Sequence, residues 1–469
     1  MDKKLHTYLI LLIFIAYSFT IKAQFTKLMD FAGATNGEKP QFTTIISDGT
    51  YLYGMTGNGG IYSNEGVIFK IKTNGSGYTK IFDFGFDTSG GFPYGSLLYD
   101  GTYLYGMTSV NGANNLGSIF KIKTDGSSFT KLLNFAGATN GSTPDGSLIT
   151  DGTFLYGMTS KGGANSMGIL FKIKKDGSSY TKLLDFAGAA NGANPSGDLI
   201  YDGTYLYGMT ANGGTSNEGV VFKIKTDGSS YTKLLDFTGA NGQTPVTSLI
   251  SDGTFLYGMT KFGGTSSDGI VFKIKTDGSA YTKLLDFTGI TNGSNPDGSL
   301  LLNGTFLYGI AGNGGTNGDG TIFKIKTDGS SYTNLFDFSG APDGDFPGGS
   351  LYYDGTYYYG MAWKGGANNL GVLFKYQDSS IISSVSQLTN INSQISVYPN
   401  PSHGIIEIRN GIIEIKSVKI YNVLGEEVYS EQALSTQPIT LSLNLLNGIY
   451  FLQVESEQGI VVKKIIINK

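Results

Sequence analysis

"DGTYLYGMT", Asp202 to Thr210, decides the fold, because close variants of it begin at Asp48, Asp100, Asp151, Asp252, Asn303 and Asp354, spaced 50 to 52 residues apart. A fixed period of that length marks a repeated supersecondary unit. Within the phrase, Tyr205, Tyr207 and Met209 alternate with Leu206 and Gly208, the two-residue period of a strand. Asp202-Gly203 favours a tight hairpin turn, so Ser196 to Tyr201 reads as the strand before it. After a Gly-rich loop, Val220 to Thr226 alternates Phe222 and Ile224 with Lys223 and Lys225. A second turn at Asp227-Gly228 then leads into Tyr231 to Phe237, "YTKLLDF". Four antiparallel strands per ~51 residues is the arithmetic of a propeller blade.

Counting fourth strands predicts how such a ring closes. "YTKLLDF"-like segments begin at Tyr78, Phe129, Tyr180, Tyr231, Tyr281 and Tyr332, one fewer than the repeats. The missing copy is "FTKLMDF", Phe25 to Phe31, while the last repeat stops after Gly371 to Gln377. The N-terminal strand is therefore expected to complete the seventh blade, leaving no open edge. Gly54, Gly106, Gly157, Gly208, Gly258, Gly309 and Gly360 recur after the second aromatic, a pattern that predicts close approach between neighbouring blades. Composition agrees with an all-β chain: 469 residues with 70 Gly, 30 Tyr, 29 Phe and only 15% charged residues.

These repeats, over residues 25 to 377, resemble the GloVer-type tandem repeat family of bacterial secreted proteins, which carries the "DGT-aromatic-LYGMT" and "FKIKTDGS" phrases. The resemblance implies a propeller-like domain and supplies no activity. "TDGSSYTKL" is also similar to the Asp-box of sialidase-type propellers, but Gly directly follows Asp here, so the likeness is turn chemistry.

Composition changes after Gln377. Asp378 to Gln394 reads as a Ser-, Asn- and Gln-rich linker. "ISVYPNP" (Ile395 to Pro401), "IKSVKIYNVLGEEVYS" (Ile415 to Ser430) and "LNGIYFLQVESEQGIVVKKIIINK" (Leu446 to Lys469) alternate as strands of a small β-sandwich. In this order they resemble the type A sorting domain of the type IX secretion system. That resemblance implies export across the outer membrane with the secretion machinery as partner, and release or attachment at the surface of a Gram-negative cell. An Ig-like appendage that binds another partner is the alternative. Lys3, Lys4 and the apolar run Tyr8 to Phe19, ending at Ala23, read as a secretory signal rather than a membrane span.

The expected organisation is thus a signal peptide at 1–23, a seven-bladed β-propeller at 24–377 closed by its N-terminal strand, a linker at 378–394, and a small Ig-like β-sandwich for sorting at 395–469. No transmembrane segment is expected after signal removal.

The inventory of reactive side chains narrows the chemistry. Net charge is −4 and the chain has no Cys; its two His are His6 and His403, and its sole Arg is Arg409. Residues 24 to 377 hold none of the three types, which removes His-based acid-base chemistry, catalytic triads, His or Cys zinc sites and Arg clamps. Nothing in the charge balance attracts nucleic acid. Glu38, Glu65 and Glu218 are the only Glu in the repeats and read as solvated loop acids. Asp343 and Asp345 read as turn residues without the spacing of a calcium loop. The Lys of "FKIK" and "YTKLL", such as Lys121, Lys123 and Lys131, are expected to pair with Asp and blunt a sheet edge. No catalytic residue, metal or cofactor is assigned.

Where the repeats differ is more informative. Loops joining second to third strands and loops joining blades share one face in a propeller; there the repeats vary, whereas the Asp-Gly hairpins opposite are nearly uniform. Trp363, Lys364, Lys261 and Phe262 are the ligand-binding candidates, since aromatics stack on sugar faces. Packing beneath the closing blade is the other reading of Trp363. The functional expectation is a secreted or cell-surface, non-catalytic binding protein, with an extracellular glycan or envelope component as ligand. The alternatives are a carboxylate-dependent glycan hydrolase or lyase and a purely structural surface protein.

Overall fold

The computed structural model describes residues 24–40, 43–62, 64–85, 89–378, 395–410, 415–422, 426–432, 439–456 and 459–469. The expected signal peptide and, apart from Asp378, the expected linker lie outside them. The described residues are all-β, with no helix, and the chain divides into two compact units, one spanning Phe25–Gln377 and the other containing Asp378–Lys469.

Among the described residues, the larger unit carries seven four-stranded sheets. The fourth is representative: Ile200–Tyr201, Tyr205–Thr210, Val220–Lys225 and Thr232–Asp236 pair in chain order. Tyr207 opposes Lys223 and Gly208 opposes Phe222, and the pairing to the last strand bulges between Val221 and Phe222. Both faces of the two inner strands are buried, because each sheet packs against its neighbours on either side. Tyr207, Met209 and Val221 thus share a core with Leu249, Leu256, Ile270 and Phe272 of the fifth sheet.

The seventh sheet draws its strands from the two ends of this unit. Gln24–Asp30 lies beside Val372–Gln377, which pairs Tyr358–Lys364 and then Asp345–Tyr353. Phe25 stacks on Phe336 of the sixth sheet at 4.3 Å, as Phe82 stacks on Phe129 between the first two. Tyr359, Met361 and Leu373 in turn pack with Leu52, Val67 and Phe69 of the first sheet.

A circuit of seven hydrogen bonds follows the same order. Thr44 N donates to Ser96 Oγ, Ser96 N to Ser147 Oγ, Ser147 N to Asp198 Oδ1, and Asp198 N to Ser248 Oγ. Ser248 N then donates to Ser299 Oγ, Ser299 N to Ser350 Oγ, and Ser350 N back to Thr44 Oγ1 at 3.0 Å. Four-stranded sheets in such succession resemble propeller-like folds.

Two expectations need correction. A Cβ on Gly208 would lie 2.8 Å from Phe222 Cζ, its own cross-strand partner, and 3.0 Å from Leu199 Cδ2. The recurrent glycine therefore makes room inside a sheet rather than between sheets. The lysines divide by strand. Those of "YTKLLD" do pair with Asp, as Lys233 with Asp236 at 2.7 Å. The first lysine of "FKIK" instead crosses a ring of its own sheet to reach the next: Lys121 Nζ lies 5.1 Å from the Tyr103 ring centroid and donates to Lys175 O of the following sheet at 3.2 Å.

In the C-terminal unit, Ile395–Tyr398, Ile405–Asn410 and Ile439–Ser442 form one antiparallel sheet. Glu427–Gln432, Ile415–Tyr421, Gly448–Ser456 and Gly459–Ile467 form the other. Their inward-facing residues, among them Ile406, Ile408, Val418, Ile420, Leu452 and Ile465, make one core.

Candidate functional site

Each loop between consecutive sheets carries a proline that sets its course. "FPYGS" (Phe92 to Ser96), "TPDGS" (Thr143 to Ser147), "NPSGD" (Asn194 to Asp198), "TPVTS" (Thr244 to Ser248), "NPDGS" (Asn295 to Ser299) and "FPGGS" (Phe346 to Ser350) are the aligned copies. The residue before each proline has positive φ, 53° at Asn194 and 51° at Phe346. Its N–H donates to a carbonyl of the preceding sheet's loop, as Asn194 N to Met167 O and Phe346 N to Asp319 O. The last residue enters the hydrogen-bond circuit. With backbone and circuit fixed, the residue after proline is free to vary: Tyr94, Asp145, Ser196, Val246, Asp297, Gly348.

Five of those six residues, all but Gly348, line a cavity of about 270 Å³ together with Asp198, Lys261 and the hydroxyls of the circuit. Lys261 Nζ sits 2.8 Å from Asp297 Oδ1. Asp145 accepts from Ser109 Oγ at 3.4 Å, and Asp198 Oδ1 accepts from Ser147 N at 2.6 Å. Burial pushes all three carboxyls above the usual range. It does so against serine hydrogen bonds and Lys161 at Asp145, serine hydrogen bonds at Asp198, and the Lys261 charge at Asp297. Burial, with the Asp145 charge behind it, also raises the Tyr94 phenol.

A second hollow of about 170 Å³ shares Lys261 and Asp297 with the first and is walled by Phe346, Pro347, Gly348, Asn313 and Trp363. The Phe346 and Trp363 rings meet edge to face at 5.9 Å. Lys364 Nζ lies 4.6 Å from the first centroid and 4.7 Å from the second, a double cation–π contact. Trp363 Nε1 is buried without a hydrogen-bond partner.

The four candidates from sequence are therefore placed differently. Lys261 lines both hollows, Trp363 walls the second, Lys364 covers the aromatic pair, and Phe262, 37% exposed, lines neither. Tyr94, Asp145, Asp198 and Asp297 were missed. Asp145-Gly146 and Asp297-Gly298 look like the hairpin dipeptide, and only the preceding proline distinguishes them. Asp198 had a clearer signal, since the six equivalent positions hold Ser or Thr.

Glu65 departs from the solvated-acid reading. It is 5% exposed, accepts from Asn111 Nδ2 at 2.6 Å, and is raised by burial. Asp343 is a turn acid that accepts from Ser339 N and Oγ, whereas Asp345 Oδ1 is buried without a hydrogen-bond partner. Among the described residues, no group of three or more His, Cys, Asp or Glu is placed to hold a metal ion.

A family profile described as Gloeobacter/Verrucomicrobia repeat matches residues 15–154, 98–259, 150–305 and 250–413, and one described as secretion system C-terminal sorting domain matches 396–468. No curated protein matches the sequence. Among solved structures, an oligogalacturonate lyase in complex with manganese is 12% identical with a TM-score of 0.49, the match covering 77% of this chain and 98% of that one. The extracellular domain assigned to a one component system of B. thetaiotaomicron is 14% identical with a TM-score of 0.49, covering 96% of this chain and 58% of that one. A nidogen/laminin complex is 14% identical with a TM-score of 0.40, covering 61% and 91%.

Proposed function

The chain belongs to the Gloeobacter/Verrucomicrobia repeat family and ends in a type IX sorting domain, and from that premise we propose a non-catalytic binding protein for extracellular polysaccharide. The sorting domain marks a secreted or cell-surface protein of Bacteroidetes-type bacteria. On this reading residues 1–23 are a signal peptide, 24–377 a seven-bladed propeller closed by Gln24–Asp30, 378–394 a linker, and 395–469 an Ig-like sandwich addressed to the secretion machinery.

One observation carries the binding reading: a cavity rich in hydrogen-bond acceptors adjoins an aromatic hollow, through Lys261 and Asp297. Sugars present outward hydroxyls to carboxylates and hydroxyls, and an apolar ring face to Trp or Phe. Retention of the full chain on immobilised glycans tests it. Trp363→Ala is expected to weaken retention about tenfold at an unchanged melting temperature; retention equal to the parent's would remove the aromatic hollow from the site.

A second reading, a glycan hydrolase or lyase, is favoured by the Asp145 carboxyl lining the cavity, which burial raises in the direction a general acid needs. New reducing or unsaturated ends in the same incubations, lost in Asp145→Asn, would decide for it.

A further inference from the structure

Resting on the binding reading above, we infer that the cavity selects a glycan bearing a primary ammonium, as an unacetylated amino sugar does, and turns away uronates and sulfated glycans. The lining supplies three carboxyls, Asp145, Asp198 and Asp297, against one ammonium, Lys261, with the charge of Lys161 also acting on Asp145. No Arg or His occurs anywhere in residues 24 to 377 to offset them. Burial raises these carboxyls, a bound ammonium offsets that by pairing with the ionised form, and an anionic ligand finds no donor fork to hold it.

Asp198 shows that the charge is not a requirement of the fold. Its place in the hydrogen-bond circuit is filled by Ser96, Ser147, Ser248, Ser299, Ser350 and Thr44 in the other sheets, and a hydroxyl suffices there. Asp198 is held by Ser147 and Ser248, neither of which neutralises it. A ligand ammonium supplies the missing charge and three donors together.

The adjoining hollow points to the rest of the ligand. The Phe346 and Trp363 rings already hold the ammonium of Lys364, so a positive field is tolerated beside them. Trp363 Nε1 is a buried donor with no hydrogen-bond acceptor, and Asp297 Oδ1 has the Lys261 ammonium 2.8 Å away as its partner. A hydroxyl or ring oxygen of a second sugar unit satisfies the Trp363 donor.

The test is calorimetric titration of the full chain with glucosamine oligomers, the same oligomers N-acetylated, glucose oligomers, and a linear triamine. The glucosamine oligomer is expected to bind about tenfold or more tightly than its acetylated form. Asp198→Ser and Asp297→Asn should each remove most of that preference, read as the ratio of the two affinities. Equal affinity for all three oligomers overturns the ammonium inference and leaves the saccharide reading standing. A triamine that binds as tightly as the glucosamine oligomer does the reverse. Silence from all four probes overturns both. Because Asp198→Ser reinstates the hydroxyl of the other six sheets, a melting temperature at or above the parent's separates a lost ligand contact from a lost fold.

Discussion

The two ends of the repeat use the same residue type in opposite ways. At the Asp-Gly hairpins, Asp202 Oδ1 accepts from Thr204 N and Tyr205 N, and Oδ2 accepts from Tyr207 Oη, at 2.7 to 2.8 Å. Asp48, Asp100, Asp151 and Asp252 do the same. Burial pushes these carboxyls up, but the donors outweigh it and hold them below the usual range. At the cavity, Asp145, Asp198 and Asp297 have too few donors, and burial prevails. The acids that recur with the repeat stabilise it; those that break the repeat are opposed by burial, and the proposed ligand site is built from them.

The largest expected effect breaks the hairpin end. Asp202→Ala removes two amide acceptors and the Tyr207 partner, and is expected to lower stability by about 1–3 kcal/mol at pH 7 in urea unfolding, without altering ligand affinity. Because the folded pKa is depressed, that contribution is present above the ordinary Asp value and lost as pH falls through the folded one. A variant as far below the parent at pH 2 as at pH 7 would contradict it.

Asp198→Ser should act with the opposite sign, raising stability by about 1–2 kcal/mol at pH 7. Its folded pKa is elevated, so the protonated form is the favoured one; the native Asp is at no disadvantage below the unfolded value and incurs one as pH rises through the folded value. The gain should therefore vanish near pH 3, and a gain that persists there would assign the effect to packing. Smallest is Phe262→Ala, expected within about 0.5 kcal/mol of the parent because the ring is 37% exposed. A larger fall would make Phe262 part of the core.

Strand order was legible because Asp-Gly turns and two-residue alternation are local, and because the repeat count left the segment at Phe25 as the one fourth strand out of place. The cavity was less so. Its residues lie about 51 positions apart, and their convergence depends on a proline-directed loop whose positive φ at Asn194 or Phe346 leaves no sequence mark. Asn303 shows the same limit. It replaces the hairpin Asp and donates to Tyr358 Oη at 2.8 Å, where Tyr358 itself stands in for the usual Leu; two departures from the repeat in different sheets are one contact.

The seventh sheet also sets a clock on folding. Asp30 Oδ1 accepts from Ala367 N, a partner 337 residues downstream. At a synthesis rate of about 5–20 residues per second, Gln24–Asp30 waits roughly 20–70 s for Val372–Gln377 to be made. Until Phe336 and Phe374 are made, Phe25 lacks the rings that cover it. A polypeptide interrupted before Val372 leaves its first strand without the neighbour that covers it, so the two ends of the unit are joined only by the last strand to be made.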